Sequence, residues 1–259
     1  MTPRRSKSKG CRSRCAFTLL ELLVVISVIV LLIGILVPSL SAARRSGQRT
    51  QCQANLREVA AGWHIYLDEY DGRFLQTVNA SINYGGGQGS IVVFQGPKPL
   101  NASLALEPIL PEAASVFRCP SDRGGGPAKD HHFRWCGTSY VMNPMLTQPG
   151  LQVAPNDPCE PQLTELSQRL PGLTRSRVGP ESKLILAGDF GWGYDWDRND
   201  AINRARWHTS TPEHNLAFMD GHAAFTRIRK GLHITQDYHV TPFQDMVGAL
   251  VSTQQEVVE

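Results

Sequence analysis

An uninterrupted apolar run near the N-terminus constrains this chain more than any other feature. Residues 17–37 read FTLLELLVVISVIVLLIGILV, and Glu21 is the only charged side chain among them. As a helix, this run rises about 1.5 Å per residue and reaches roughly 31 Å, close to the ~30 Å hydrocarbon core of a bilayer. A buried helix of a soluble protein normally has a polar face, and this run has none. The run therefore predicts a single transmembrane helix.

The residues before the run predict its orientation. Residues 1–16 contain six basic side chains and no acidic one, which leaves 20 basic and 23 acidic side chains in the rest of the chain. By the positive-inside rule, the basic leader stays in the cytoplasm and residues 38–259 lie beyond the membrane. Three arginines after the run (Arg44, Arg45 and Arg49) oppose this orientation but are outnumbered. The net negative remainder argues against nucleic-acid binding.

The boundary between leader and apolar run carries a recognisable motif. A small residue precedes the run, whereas a secretory signal has its small-residue cleavage site afterwards. The string Ala16-Phe17-Thr18-Leu19-Leu20-Glu21 resembles the N-terminus of type IV prepilins and of type II secretion pseudopilins. The resemblance implies that a prepilin peptidase cleaves between Ala16 and Phe17 and that the new Phe17 nitrogen is methylated. Family members usually have glycine before the cleaved bond, where this chain has Ala16.

Two residues inside the helix stand out. A carboxylate in a bilayer costs about 3 kcal/mol even on insertion scales, so Glu21 requires a partner or a function. The resemblance implies that Glu21 pairs with the terminal amine of a neighbouring subunit during assembly; the alternative is a protonated side chain or one that extends to the interface. Pro38 lacks an N–H group and fits the bend that the family has in its first helix, so we expect a kink there.

Beyond Pro38 the pattern becomes amphipathic. Apolar side chains recur at intervals of four and three residues, which predicts one stripe of a helix that ends at Asp71-Gly72. The stripe consists of Cys52, Leu56, Val59, Trp63, Tyr66 and Tyr70. We therefore expect one long helix whose uniformly apolar first half lies in the membrane. Its amphipathic second half is expected to extend beyond the membrane and pack its stripe on a head domain.

Short β-branched and apolar runs separated by glycine-rich loops predict a small antiparallel sheet in the head. The expected strands are residues 91–94, 183–187, 215–219 and 223–228, with a hairpin turn at Asp220-Gly221 between the last two. The predicted fold class is α+β and pilin-like. Its parts are a leader (1–16), an N-terminal helix (17–70) and a head domain (71–259).

Further strings resemble one abundant bacterial group of pilin-like proteins and cover much of the chain. They are Arg49 to Arg57, Phe117 to Asp122, Thr138-Ser139-Tyr140 with Asn143, and Glu181 to Asp189. The C-terminal landmark of that group is His-x9-Asp-Gly. Here eleven residues separate His208 from Asp220-Gly221, which is a two-residue insertion.

Four cysteines follow the membrane segment, where disulfides are permitted. They are Cys52, Cys119, Cys136 and Cys159, and they allow three complete pairings. Cys119 and Cys136 flank a glycine-rich loop and are the first pair to test. The alternative is that one or more of the four remain reduced and buried.

An acidic loop offers a candidate calcium site. Asp195, Asp197 and Asn199 match positions 1, 3 and 5 of a calcium loop, but Asp200 at position 6 and Arg206 at position 12 depart from an EF-hand. The resemblance keeps the site open, since some pseudopilins bind calcium in a C-terminal loop. The favoured alternative is a solvated acidic loop.

A histidine-rich stretch offers metal-compatible side chains without a known zinc spacing. It contains His208, His214, Asp220 and His222. A surface histidine group near the hairpin is the preferred interpretation.

The chain has no Gly-x-Ser-x-Gly elbow, Walker A loop or dinucleotide-binding turn, so we expect neither an enzyme nor a required cofactor. The resemblance implies a single-pass subunit of the inner membrane, processed by a prepilin peptidase and methyltransferase. It would assemble with other pilin-like subunits into a type IV pilus or a type II secretion-like filament. The alternative is a membrane-tethered extracytoplasmic domain that binds a ligand or performs metal-dependent hydrolysis.

Overall fold

The computed structural model describes residues 18–75, 115–125, 131–147, 159–196 and 205–258. Within them the architecture is α+β, as predicted: a long N-terminal helix followed by a small four-stranded antiparallel sheet. The chain divides into two compact units, one ending at Arg44 and the other beginning at Arg45. The predicted strand at 91–94 lies outside the described residues.

The first helix, α1, spans Leu19–Glu69 and includes most of the apolar run and of the amphipathic stripe. Its end confirms the predicted stop. Asp71 and Gly72 adopt φ angles of 53° and 73°, and the Gly72 N–H donates to the Leu67 carbonyl at 2.6 Å. This left-handed reversal with a six-residue hydrogen-bonded loop is a common way for a helix to end.

The second half of α1 buries its stripe in the core of the second unit. Cys52, Leu56, Val59 and Trp63 are fully buried and Tyr66 is nearly so. The prediction fails at Tyr70, which is 53% exposed because the helix ends there. Tyr70 instead stacks on Tyr66, with ring centroids 4.4 Å apart.

Four strands form one antiparallel sheet in the order β1-β2-β3-β4. They are β1 (Tyr140–Met142), β2 (Ile185–Asp189), β3 (Glu213–Phe218) and β4 (Ala223–Arg227). β2 is buried along its whole length. It begins two residues later than the predicted 183–187 strand and ends at Asp189, while β1 is too short to show a sequence pattern.

The predicted hairpin joins β3 to β4. Gly221 has a φ of 91°, and its N–H donates to the Phe218 carbonyl at 2.9 Å. The Asp220 carboxylate accepts from the His222 N–H at 3.1 Å. Asp220-Gly221 therefore forms a turn, as its composition predicts.

Five further α-helices, which were not predicted, lie among the described residues. They are α2 (His132–Cys136), α3 (Pro144–Thr147), α4 (Glu160–Arg169), α5 (Gly191–Trp196) and α6 (Val247–Val258). Pro161 lies in the first turn of α4, where its missing N–H has no intrahelical acceptor and costs nothing.

A buried carboxylate fastens the segment after Cys119 to α2. Asp122 accepts four hydrogen bonds, from the N–H groups of Gly124 (2.9 Å), His132 (3.0 Å) and Phe133 (2.9 Å) and from the Ser139 hydroxyl (2.6 Å). Asp122 is 3% exposed. These hydrogen bonds give a physical reason for the aspartate at the end of the Phe117-to-Asp122 string.

Asn143 has a comparable role at the end of β1. Its amide nitrogen donates to the carbonyls of Ile185 (2.9 Å) and Val240 (2.7 Å), and its oxygen accepts from the Met145 N–H at 3.0 Å. One side chain thereby connects three segments of the core. Buried amides that satisfy several backbone groups at once are costly to replace.

A disulfide joins α1 to the segment around Phe117. Cys52 bonds to Cys119 across 67 residues of sequence, with the two Cα atoms 5.2 Å apart. One turn of helix later, Asn55 donates to the Arg118 carbonyl at 2.9 Å. The predicted pair of Cys119 with Cys136 is therefore wrong, because the buried stripe of α1 presents Cys52 to Cys119.

Cys119→Ser should lower the free energy of unfolding by about 4 kcal/mol, since the variant loses a cross-link that closes a long loop. Denaturant unfolding of the full chain in detergent measures this difference, which should largely disappear when both proteins are reduced. Non-reducing peptide mapping should recover Cys52 linked to Cys119. A peptide linking Cys119 to Cys136 would contradict the assignment.

Candidate functional site

The apolar half of α1 is the first candidate functional segment. Its large apolar side chains from Leu19 to Leu40 are 47–84% exposed. Among the described residues, α1 is the one helix long and apolar enough to cross a membrane, judged by length and composition. Soluble proteins rarely expose apolar surface of this extent, so the segment indicates membrane anchoring.

Glu21 lies in the first turn of α1 and closes a capping box with Thr18. Its Oε2 atom accepts from the Thr18 N–H and the Thr18 hydroxyl, both at 2.9 Å, and the Glu21 N–H donates to the Thr18 hydroxyl oxygen at 3.2 Å. Oε1 has no hydrogen-bond partner among the described residues. The carboxylate is thus oriented at the start of the helix with one oxygen available to a further donor.

The remaining N-terminal candidates are described in part. Ala16 and Phe17, on either side of the expected cleavage, lie outside the described residues. Pro38 lies inside a continuous α1, where it deprives the Gly34 carbonyl of its helical donor. Nearby, the Ser39 hydroxyl donates to the Leu36 carbonyl at 2.8 Å. The kink at Pro38 stays a prediction.

The candidate calcium loop has a different role at its described residue. Asp195 lies in α5 and is 3% exposed, whereas Asp197 and Asn199 lie outside the described residues. Arg206 contacts both Asp195 oxygens, at 2.7 and 2.8 Å, and His214 Nε2 lies 2.7 Å from Oδ2. The expectation of a solvated acid is wrong for Asp195, whose carboxylate binds two side chains of the same chain.

These contacts determine the ionisation of Asp195. Burial alone raises the pKa of this carboxyl, but the hydrogen bonds and charges of His214 and Arg206 outweigh burial and lower the pKa to about 2. Asp195 therefore remains ionised at all physiological pH values.

The predicted histidine group does not assemble. His214 contacts Asp195, and exposed His222 contacts Asp220 with Nδ1 2.5 Å from Oδ1. The His208 and His214 side chains are each only 2% exposed, so the interpretation as a surface group is wrong for both. His208 and His214 have different partners because His214 lies in β3 whereas His208 lies in the stretch before β3.

The structure instead brings together four side chains from distant parts of the sequence. They are Cys52, Cys119, Asp189 and His208, whose ligand atoms all lie within 4.8 Å of one another. His208 Nε2 is 3.4 Å from Cys119 Sγ and 3.5 Å from Asp189 Oδ2. We refer to these four residues as the Cys-Asp-His cluster.

The position of Asp189 depends on β2 and β3. Its Oδ2 accepts from the Asn215 N–H at 2.8 Å and from the Asn215 amide at 3.1 Å. A Cβ on Gly188 would lie 2.5 Å from Leu216 Cδ2 and 2.8 Å from Trp192 Cδ1, so glycine leaves room for these two side chains beside β2. The Gly188-Asp189 string thus places a carboxylate at the cluster.

Sequence reasoning missed the Cys-Asp-His cluster because no two of its members are close in sequence. The available signal was that each member belongs to one of the strings that resemble the pilin-like group. Cys52 and Cys119 each lie in one such string, Asp189 ends a third, and His208 begins the C-terminal landmark. Pattern alone did not indicate that the four strings converge.

Asp195→Asn should lower the free energy of unfolding at neutral pH by about 3 kcal/mol, because it removes the buried carboxylate that pairs with Arg206 and contacts His214. The pKa of an unfolded aspartate is near 4, so the native ion pair stabilises fully above that pH and is lost as pH falls towards about 2. Unfolding measured from pH 2 to 7 should therefore depend less on acid in the variant. The exposed Asp237→Asn is the control, and equal acid dependence of Asp195→Asn and wild type would refute the assignment.

Comparison with known protein families identifies the same N-terminal segment that the structure shows as an exposed apolar helix. The family model for the prokaryotic N-terminal methylation motif matches residues 11–37, which contain the leader boundary, Glu21 and the apolar run. Comparison of the whole chain with curated proteins and with solved structures found no match. The motif is the prepilin-type signature, and it supports the identification of this chain as a type IV pilin- or pseudopilin-like precursor.

Proposed function

We propose that this chain is a structural subunit that a prepilin peptidase processes and that then assembles with other pilin-like subunits into a type IV pilus or a type II secretion-like filament. The observation that carries the proposal is the combination of an exposed apolar helix with one acidic side chain, Glu21, inside a prepilin-type signature. A plain membrane anchor has no use for that acid.

In this mechanism, cleavage between Ala16 and Phe17 creates an ammonium group four residues before Glu21. Apolar helices of several subunits then pack side by side, and Glu21 of one subunit pairs with the terminal amine of its neighbour. The Thr18 hydrogen bonds at Oε2 support this role because they orient the carboxylate and leave Oε1 for the amine. Charge pairing in a low-dielectric bundle aligns each incoming subunit.

The head would lie outside the cytoplasm, in the periplasm or at the cell surface, with the subunit anchored once in the inner membrane. The basic leader supports this orientation. The Cys52–Cys119 disulfide agrees with it, since such bonds persist mainly in oxidising compartments. The subunit would act by assembly rather than by catalysis.

Replacement of Glu21 tests the assembly role. Glu21→Leu should leave the protein in the membrane but reduce its incorporation into filaments at least about tenfold, which corresponds to a loss of about 1.4 kcal/mol. Glu21→Gln keeps the capping box, since glutamine accepts the same Thr18 hydrogen bonds, but removes the charge. If charge pairing is the cause, both variants are defective. The exposed Glu58→Gln on the second half of α1 is the control and should assemble normally.

The mature N-terminus tests processing. Intact mass and N-terminal sequencing of the protein from its native membrane should give a chain that begins with N-methylated Phe17. Ala16→Gly should leave that terminus unchanged. An unprocessed terminus, together with normal behaviour of Glu21→Leu, would favour the membrane-tethered domain instead.

A further inference from the structure

The Cys-Asp-His cluster contains the donor set of a tetrahedral metal site. We propose that Cys52, Cys119, Asp189 and His208 bind one Zn²⁺ when the two cysteines are in the dithiol form. Thiolate, imidazole and carboxylate are the protein ligands that zinc prefers, and four of them close a structural site. No sequence motif for zinc unites these residues, and the proposal rests on the head alone, independently of filament assembly.

The distances within the cluster fit this coordination. Zinc bonds of about 2.3 Å to sulfur and about 2.0–2.2 Å to nitrogen and oxygen place neighbouring ligand atoms of a tetrahedron about 3.4–3.6 Å apart. His208 Nε2 lies 3.4 Å from Cys119 Sγ and 3.5 Å from Asp189 Oδ2. The imidazole nitrogen is therefore already at tetrahedral spacing from a sulfur, and the Asp189 carboxylate lies beside the imidazole.

Asp189 supplies an independent observation. Its side chain is 1% exposed, and its Oδ1 atom has no hydrogen-bond partner among the described residues. A buried carboxylate oxygen without a donor is expensive, and an ion is one of the recognised reasons for it. Asn215 holds the other oxygen with two hydrogen bonds, which is how a carboxylate ligand is commonly oriented.

The zinc form and the disulfide form exclude each other. In a tetrahedral site the two sulfurs lie about 3.8 Å apart, further than any disulfide permits, so the S–S bond must be broken first. A phosphine reductant does this: with one water it gives two thiols and a phosphine oxide, and the phosphorus supplies the two electrons. Zinc then displaces the two thiol protons and binds the thiolates.

The site would connect more of the head than the disulfide does. Cys52 belongs to α1, Cys119 to the segment at 115–125, Asp189 to the end of β2 and His208 to the stretch before β3. The disulfide joins the first two of these elements, whereas a zinc ion would join all four. The chain as synthesised carries thiols, so zinc would hold the head together before the disulfide forms.

Cobalt titration tests the proposal. The full chain in detergent is reduced with a phosphine without oxygen and titrated with Co²⁺, which reports tetrahedral thiolate coordination by strong visible bands and sulfur-to-cobalt charge-transfer bands. We expect one Co²⁺ per chain, displaced by one Zn²⁺, and a higher midpoint of thermal unfolding when Zn²⁺ is added. The oxidised chain should give no such bands.

Variants assign the ligands. Asp189→Asn and His208→Gln should each weaken Co²⁺ binding at least about tenfold, the lower end of the effect known for residues that merely support a ligand. The double change of Cys52 and Cys119 to serine keeps the other four cysteines and should abolish the charge-transfer bands. His222→Gln alters an exposed histidine outside the cluster and should bind as wild type does.

Three results would overturn the proposal. They are reduced wild type that binds no Co²⁺ or is not stabilised by Zn²⁺, bands that persist in the double cysteine variant, and Asp189→Asn and His208→Gln variants that bind with wild-type affinity. Because thermal unfolding of reduced wild type is measured with and without Zn²⁺, the proposal stays testable even if a variant misfolds. Failure here leaves the Glu21 and N-terminus experiments unaffected.

Discussion

The cross-link between Cys52 and Cys119 is the constraint on which the rest of the head depends. It fixes the buried stripe of α1 to the segment that carries Asp122, and Asp122 in turn holds the start of α2 through backbone hydrogen bonds. The covalent bond acts mainly on the unfolded chain, whose freedom it restricts. The packing of Leu56 and Trp63 then acts on the folded state. The two effects together make the second half of α1 an integral part of the head.

One helix thus serves two environments. Up to about residue 40 its large apolar side chains are exposed, as a helix intended for lipid or for other apolar helices requires. From Cys52 to Tyr66 the apolar stripe is buried in the core of the head. The exposed first part of α1 therefore suits lipid or other apolar helices, and the second part belongs to the core of the head. The prepilin-type signature, at residues 11–37, ends within this first part.

Buried acids organise the head in three different ways. Asp122 accepts hydrogen bonds from backbone and hydroxyl groups, and Asp195 neutralises Arg206 beside His214. Both carboxylates use both oxygens on partners within the chain. Asp189 uses one oxygen on Asn215 and leaves the other without a donor among the described residues. Its carboxylate belongs to the cluster that also contains two sulfurs and an imidazole. The carboxylate oxygen without a hydrogen-bond donor distinguishes Asp189 from the other two acids and makes it a residue of a candidate metal site.

The sequence by itself determined the features that depend on interactions between residues close together in the chain. The apolar run, the acid within it, the stripe of α1 and the stop at Asp71-Gly72 depend on neighbouring residues, as does the Asp220-Gly221 turn, and the structure agrees apart from exposed Tyr70. Tertiary structure alone decided which side chains meet. Cys119 bonds to Cys52 instead of Cys136, His214 binds Asp195 instead of joining His208, and His208 approaches Asp189. Those pairings depend on how α1, the sheet and the loops pack. Local sequence patterns do not predict contacts between residues that are tens of positions apart.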